Sequence, residues 1–140
     1  MPTIFSRIIA GELPARFVWK DEHAVAFLSN RPLRPGHTLV VPRLEVDHWL
    51  DVDPQILSHL TKIAQVIGRA QMTVFSPARV GMMIAGLEVP HLHIHVVPIR
   101  GMHDLDFGNQ DPDPDPQMMD DCAASIRREL RKLGSPQVSD

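Results

Sequence analysis

The feature that most restricts the fold of this 140-residue chain is a run of alternating histidine and aliphatic residues, His91-Leu92-His93-Ile94-His95, followed by Val96-Val97-Pro98. β-Branched and other aliphatic residues favour strands, and neighbouring side chains of a strand point to opposite faces. The run therefore predicts a strand with its aliphatic side chains in a core and three imidazoles roughly 7 Å apart along the other face. Because imidazole titrates near neutral pH, such a row indicates a functional site.

Three interpretations of the imidazole row are open. The first is a half-buried strand whose polar face happens to use histidine. The second is a zinc or iron site, in which two of these histidines would need a third ligand from elsewhere, with His37 as the candidate. The third is phosphoryl chemistry, in which a central imidazole attacks phosphorus while its neighbours hold phosphate oxygens or protonate the leaving group. The flanking sequence favours the third.

Four segments together resemble the histidine triad (HIT) family of nucleotide hydrolases and transferases. The run from His91 matches the family signature His-apolar-His-apolar-His-apolar-apolar, and residues 3–14 resemble the opening helix. Residues 35–42 resemble the first core strand, with His37 as the fourth histidine, and residues 86–90 stand at the phosphate-binding approach. The resemblance spans about residues 3–100 and is nearest to the Hint branch, which comprises small homodimeric nucleoside phosphoramidases.

The resemblance implies a role for each of the four histidines. His93 matches the nucleophile, which forms a nucleotidyl-histidine intermediate. His95 matches the residue that contacts the phosphate, and His91 matches the residue whose backbone carbonyl orients the nucleophile. His37 matches a supporting histidine. These four are the predicted catalytic residues.

The resemblance also implies a nucleotide site, for a purine nucleotide or nucleoside phosphoramidate, with no cofactor and no bound metal. Ser29, with Asn30 beside it, stands where the family usually has Asp or Asn for the ribose. Glu88 falls where many relatives have a Ser or Thr hydroxyl near the phosphate. Some relatives bind a structural zinc through an N-terminal Cys pair, which is absent because the one cysteine is Cys122. The remaining predicted nucleotide-binding residues are Val89 on the phosphate approach and Ile4, Phe5, Ile8 and Phe27 around the base.

Two functions follow from this pattern. The first is a hydrolase that cleaves a P–N or P–O bond at a nucleoside monophosphate by in-line attack of His93. The alternative is a catalytically weak nucleotide-binding or regulatory protein, which the altered ribose and phosphate positions Ser29, Leu87 and Glu88 indicate. We expect the enzyme, because a protein that only binds nucleotide needs no nucleophile between two other imidazoles.

Composition narrows the class of protein further. A net charge of −3 and the lack of a basic stripe argue against nucleic-acid binding. Apolar residues make up 44% of the chain, yet no run approaches the ~20 residues of a membrane span. The lone cysteine and the lack of a secretory pattern at residues 1–3 indicate the cytoplasm. A homodimer is expected from the resemblance alone.

Local patterns predict an α+β fold, an antiparallel meander packed with a long helix, plus a C-terminal helix. Thr3 is expected to cap a short helix, and Asp53 to cap the long one. Strands are expected over residues 16–20, 24–28, 38–41 and 79–85. We expect a HIT domain over residues 1–100 and an extension over 101–140, packed on the same domain or on a dimer partner. In this extension, residues 111–116 are expected to be an extended linker, and a helical stripe follows at Met118, Met119, Cys122, Ile126, Leu130 and Leu133.

Overall fold

A five-stranded antiparallel sheet organises the structure, a computed structural model that describes residues 2–138. The strand order is β1-β2-β3-β5-β4. The α-helices and strands are, in chain order, α1 (Ile4–Ile9), β1 (Phe17–Lys20), β2 (Ala24–Leu28), β3 (Thr38–Pro42), α2 (Pro54–Phe75), β4 (Arg79–Met83), β5 (Ile94–Ile99) and α3 (Pro116–Lys132). Short 3₁₀ turns lie at Trp49–Asp51, Met102–Leu105 and Phe107–Asn109. The predicted α+β class is confirmed.

Both faces of the central strands are covered, so every residue of β2 and β3 is buried. The alternation of side chains divides the core into two layers. On one face, residues such as Ala26, Leu28 and Val40 pack with α2 and α3. On the other face, a smaller cluster packs beneath α1, and its buried members are Phe5, Ile8, Val25, Phe27, Leu39 and Val41. The candidate site lies beside this smaller cluster.

The caps of the first two helices agree with the sequence predictions. The Thr3 hydroxyl accepts a hydrogen bond from the Ser6 N–H at the start of α1. The Asp53 carboxylate accepts from the Gln55 N–H, and Pro54 opens α2, where a missing N–H costs nothing. None of the helices within residues 2–138 combines the length and apolar composition needed to cross a bilayer.

The C-terminal helix packs on its own domain. Its buried residues Met119, Cys122, Ile126 and Leu130 join the layer that also holds α2. Leu133, placed in the predicted stripe, is 49% exposed, because the helix ends at Lys132. Residues 111–115 are outside regular structure as expected, but Pro116 is already the first residue of α3, with Asp115 as its cap.

Candidate active site

The three histidines of the signature do not form one row along a strand. β5 begins at Ile94, so His91 and His93 lie in the bend that precedes it. The bend is held outside the sheet, because the Leu92 N–H donates to the Val46 carbonyl. As a result the imidazole of His91 turns towards α1, while those of His93 and His95 line a cleft. All three side chains are buried, which corrects the prediction of a continuous imidazole face.

His93 is held through one ring nitrogen. Its Nδ1 lies 2.7 Å from the backbone carbonyl oxygen of His91. A carbonyl only accepts, so Nδ1 carries the proton and the lone pair is on Nε2. Within residues 2–138 no hydrogen bond involves Nε2. The ring of Phe5 packs edge-on against this imidazole, with centroids 5.0 Å apart. The geometry leaves His93 with an oriented ring and a free nucleophilic nitrogen.

The tautomers of His37 and His95 are fixed by a chain of donors. The Leu33 N–H donates to Nδ1 of His37 over 3.0 Å, so His37 carries its proton on Nε2. That Nε2 lies 3.0 Å from Nδ1 of His95 and donates to it. His95 therefore has its proton on Nε2, as a donor. The rings of His93 and His95 lie 4.7 Å apart by their centroids, so a free acceptor and a free donor stand side by side.

His91 is turned away from the cleft and is held at both nitrogens. Its Nε2 donates to the Pro42 carbonyl over 2.8 Å, and its Nδ1 accepts from the Thr3 hydroxyl over 2.7 Å. Its backbone carbonyl accepts the hydrogen bond from the Nδ1–H of His93. His91 thus touches the candidate nucleophile through its main chain rather than through its imidazole.

Burial keeps the imidazoles neutral. It lowers the pKa of His37 to about 3, helped by the neighbouring His95 and His93. It lowers the pKa of His95 to about 4, helped by His93. Burial also lowers the pKa values of His91 and His93, although the hydrogen bond to the His91 carbonyl and the charge of Glu88 oppose this at His93. A neutral imidazole at position 93 keeps the lone pair that a nucleophile needs.

A cavity of about 160 Å³ opens beside His93 and His95. Its walls are largely apolar, and Phe5 and Phe27 meet edge to face with centroids 5.5 Å apart. Ser29 is buried at this cavity and its hydroxyl accepts from the Arg31 N–H. All eight residues predicted to bind nucleotide line the cavity, namely Ile4, Phe5, Ile8, Phe27, Ser29, Asn30, Glu88 and Val89.

A second cavity, of about 430 Å³, adjoins the first and shares His93, His95 and Glu88 with it. Arg31 and Gln110 also line both cavities, and Phe107 packs against the His95 ring with centroids 5.1 Å apart. The two cavities meet at the imidazole pair. A bound molecule could therefore place one part on each side of a reacting atom near His93.

Sequence reasoning missed several residues of the cleft. Gln110 and Met119 come from the C-terminal extension, and they line the cavity of the same chain. Arg31 lies just past the predicted ribose position, but an arginine between Asn30 and Pro32 carries no local signal. The sequence predicts Thr3 as a helix cap, whereas its hydrogen bond to His91, 88 positions away, has no counterpart in any local pattern.

The metal interpretation finds no cluster to support it. Within residues 2–138, no group of three or more His, Cys, Asp or Glu side chains is placed to hold a metal ion. Both nitrogens of His37, the candidate third ligand, are engaged with Leu33 and His95. A larger groove of about 780 Å³ lies between α2 and β4, but neither an imidazole nor a carboxylate lines it.

Fold and site together define a class: an α+β domain whose buried imidazole pair, supported by a third and a fourth histidine, faces a two-part cleft. The sequence profile described as the HIT domain matches residues 10–102, and the chain belongs to this family. Protein hit of Bacillus subtilis is 30% identical over 136 residues, covering 91% of this chain and 93% of that protein.

Two solved structures extend the comparison. A zinc-bound histidine triad family protein from Mycobacterium smegmatis superposes with a TM-score of 0.81 at 28% identity, over 94% of each chain. A HIT family hydrolase from Legionella pneumophila superposes with a TM-score of 0.58 at 28% identity, over 69% of this chain and 91% of that one. The family thus includes a protein described as a hydrolase.

Proposed function

We propose that the protein hydrolyses a P–N or P–O bond at a nucleoside monophosphate through a nucleotidyl-His93 intermediate. The observation that carries the proposal is the pair of opposed tautomers: His93 has an unengaged Nε2 lone pair, while the adjacent His95 has an Nε2–H donor. Nucleophilic catalysis at phosphorus uses this combination, since the attacking atom must be unprotonated and a hydrogen-bond donor stabilises the charge on the phosphoryl oxygens.

In the first step, Nε2 of His93 forms a bond to phosphorus, and the bond from phosphorus to the amine or alcohol breaks. The departing nitrogen or oxygen takes a proton from water, while the Nε2–H of neutral His95 donates a hydrogen bond to a phosphoryl oxygen. The attack leaves a positive charge on His93, and two groups stabilise it: the His91 carbonyl at Nδ1 and the carboxylate of Glu88. In the second step, water attacks phosphorus and loses a proton to the solvent, the bond from phosphorus to Nε2 of His93 breaks, and His93 regains its lone pair.

Each of the two cavities accepts a different part of the proposed substrate. The apolar cavity, with Phe5 and Phe27 at its wall and Ser29 at its polar part, accepts the base and ribose. The adjoining cavity, lined by Leu87, Glu88 and Phe107, accepts the amine or alcohol. We propose a purine nucleoside phosphoramidate or purine nucleotide as the substrate, on the resemblance to the family's phosphoramidase branch.

Intact mass spectrometry after an acid quench tests the covalent step. The protein is mixed with an adenosine phosphoramidate, beside His93→Ala and, as a control, the exposed His48→Ala. A nucleotidyl mass on the wild type and His48→Ala, absent from His93→Ala, with AMP released over time, is expected. An adduct of equal yield on His93→Ala would contradict the assignment of the nucleophile.

Glu88 favours a second candidate, a nucleotide-binding protein with weak turnover. This exposed carboxylate lies close enough to His93 to raise its pKa, and it lines both cavities. A carboxylate beside a phosphate costs binding energy unless a cation offsets it. Nucleotide binding by calorimetry without adduct or AMP in the quench experiment would support this candidate over the enzyme.

We also propose that the chain forms a homodimer through the α2–β4 groove. β4 is an edge strand, so its outer backbone groups are unpaired within the sheet, and Met82 on β4 and Met72 on α2 are 54% and 43% exposed. A second copy would cover this edge. Met82→Asp should yield a monomer by sedimentation, while Met102→Asp, at a 78% exposed methionine away from the groove, should not. A wild-type monomer would refute the dimer.

A further inference from the structure

A layer of hydrogen bonds behind the triad connects α1 to the candidate nucleophile. Thr3 lies at its centre and is nearly buried. Its hydroxyl lies 2.7 Å from Nδ1 of His91, and the carbonyl of His91 in turn accepts a hydrogen bond from the Nδ1–H of His93. Only one residue, His91, therefore separates Thr3 from the reacting imidazole.

The direction of each proton in this layer follows from its partners. Nε2 of His91 must donate, because the Pro42 carbonyl at 2.8 Å only accepts. Burial lowers the pKa of His91 and so keeps it neutral, which leaves Nδ1 as an acceptor. The hydroxyl proton of Thr3 therefore points to His91, and its oxygen accepts the Ser6 N–H of the helix cap. The Thr3 hydroxyl therefore both caps α1 and donates to His91.

Glu45 anchors this arrangement from the loop after β3. Its Oε1 accepts from the backbone N–H of Thr3 and from the hydroxyl of Ser6, each over 2.8 Å. These bonds lower the pKa of Glu45, so it stays ionised at neutral pH. Because the Ser6 hydroxyl is committed to Glu45, it does not compete with Thr3 for Nδ1 of His91, from which it lies 3.5 Å away.

We propose that Thr3, anchored by Glu45, is a positioning residue that sets the tautomer and ring position of His91 and, through the His91 carbonyl, the orientation of the His93 nucleophile. The effect on turnover rests on the proposed function, whereas the effect on the two imidazoles does not. Thr3 lines neither cavity of the cleft, so it is not placed to contact a substrate bound there. Its removal should therefore slow the chemical step without weakening substrate binding.

Three variants separate positioning from helix stability. Thr3→Val keeps the shape and removes the hydroxyl, Thr3→Ser restores the hydroxyl, and Asp53→Ala removes a comparable cap from α2, away from the site. Thr3→Val should form the nucleotidyl adduct roughly tenfold more slowly or worse with KM nearly unchanged, since small misplacement of a reacting group is costly. Thr3→Ser and Asp53→Ala should react at the wild-type rate.

The proposal is overturned if Thr3→Val keeps the wild-type rate constant, or if Asp53→Ala loses as much as Thr3→Val does. A second measurement does not depend on turnover: ¹⁵N shifts of the ring nitrogens report the tautomers of His91 and His93. Thr3→Val should give a mixed tautomer at His91 and faster exchange of the His93 Nδ1 proton. Unchanged shifts and exchange would overturn the positioning role, whereas a wild type without any adduct would overturn the proposed function alone.

Discussion

The Nε2–H of His37 donates a hydrogen bond to Nδ1 of His95 over 3.0 Å. The direction of this bond is set one step earlier, where the Leu33 N–H occupies Nδ1 of His37. Through these two hydrogen bonds, the backbone amide of Leu33 determines that His95 presents an N–H hydrogen-bond donor to the cleft. Both rings are buried and neutral, with pKa values lowered to about 3 and about 4. His37 therefore fixes the tautomer of His95.

Replacing His37 should slow the chemistry less than replacing His93. In His37→Ala, Nδ1 of His95 loses its donor, so part of the population takes the tautomer that has no proton on Nε2. We expect kcat to fall roughly tenfold to a hundredfold, against complete loss in His93→Ala. Steady-state kinetics with an adenosine phosphoramidate measures both. Because His37 is 1% exposed, circular dichroism must first show that the variant is folded. A wild-type kcat in a folded variant would contradict the role of His37 in fixing the tautomer of His95.

Stability should fall as the pH falls from about 6.5 to about 4. His37 and His95 have folded-state pKa values below the unfolded value of 6.5, so the unfolded chain binds more protons throughout this window. Each residue should therefore cost about 1.4 kcal/mol of unfolding free energy per pH unit below pH 6.5. The loss continues until the pH reaches the folded pKa, near 4 for His95 and near 3 for His37.

Urea unfolding at pH 7, 6 and 5 measures this slope. His95→Phe removes one of these buried imidazoles and should flatten the pH dependence, while exposed His48→Ala should leave it unchanged. The lowered carboxyl pKa values of Asp21 and Asp104 act at lower pH, because they start from 3.8. An unfolding free energy that is constant between pH 7 and pH 5 would show that the imidazoles are not held neutral.

Removing the charge of Glu88 should change binding and pH dependence together. Glu88 raises the pKa of His93, so Glu88→Gln should lower that pKa and move the acid limb of the pH–rate profile to lower pH. It should also lower KM, because a carboxylate no longer faces the phosphate. Glu22→Gln, an exposed carboxylate far from the cleft, is the matched control. An unchanged KM would mean that Glu88 points away from the bound phosphate.

Much of the fold can be predicted from local sequence. β1 and β2 lie within or on their predicted bounds, because each is a short, largely apolar run and Asp21 closes the turn between them. α2 begins where Asp53 and Pro54 place its cap. The predicted strand over 79–85 ends instead at Met83, where pairing with β5 stops at His95. Pairing of distant strands sets that end, and no local pattern encodes it.

The site is predicted in its membership but not in its geometry. Alternation at residues 91–95 is as compatible with a bend as with a strand, because Leu92 and Ile94 are buried in either case. The bend is determined by the hydrogen bond from the Leu92 N–H to the Val46 carbonyl. This bond joins residues far apart in sequence. The same holds for Thr3 and His91. Residue types indicate the chemistry, while long-range hydrogen bonds determine which nitrogen is free.

Ser29→Asp should tighten nucleotide binding. Ser29 is 6% exposed and lines the apolar cavity. Its hydroxyl accepts a hydrogen bond from the backbone N–H of Arg31 over 3.3 Å. A carboxylate there could keep that bond and accept two ribose hydroxyls with its second oxygen, and hydrogen bonds to a charged acceptor are worth about 1.5–3 kcal/mol. Calorimetry should show a lower Kd for AMP, by roughly tenfold if one such bond forms.

The gain should depend on the ribose, which separates it from a general effect of charge. Binding of adenine alone should not tighten, since the base lies against Phe5 and Phe27 rather than Ser29 in the proposed arrangement. Gln55→Asp places a carboxylate at an exposed position outside the cleft and serves as the control. An equal gain in Gln55→Asp would be a general effect of charge, and no gain in Ser29→Asp would place the ribose elsewhere in the cleft. Tighter binding of adenine would point to a change in cavity shape instead, because a carboxylate at position 29 has no ribose to contact in that complex.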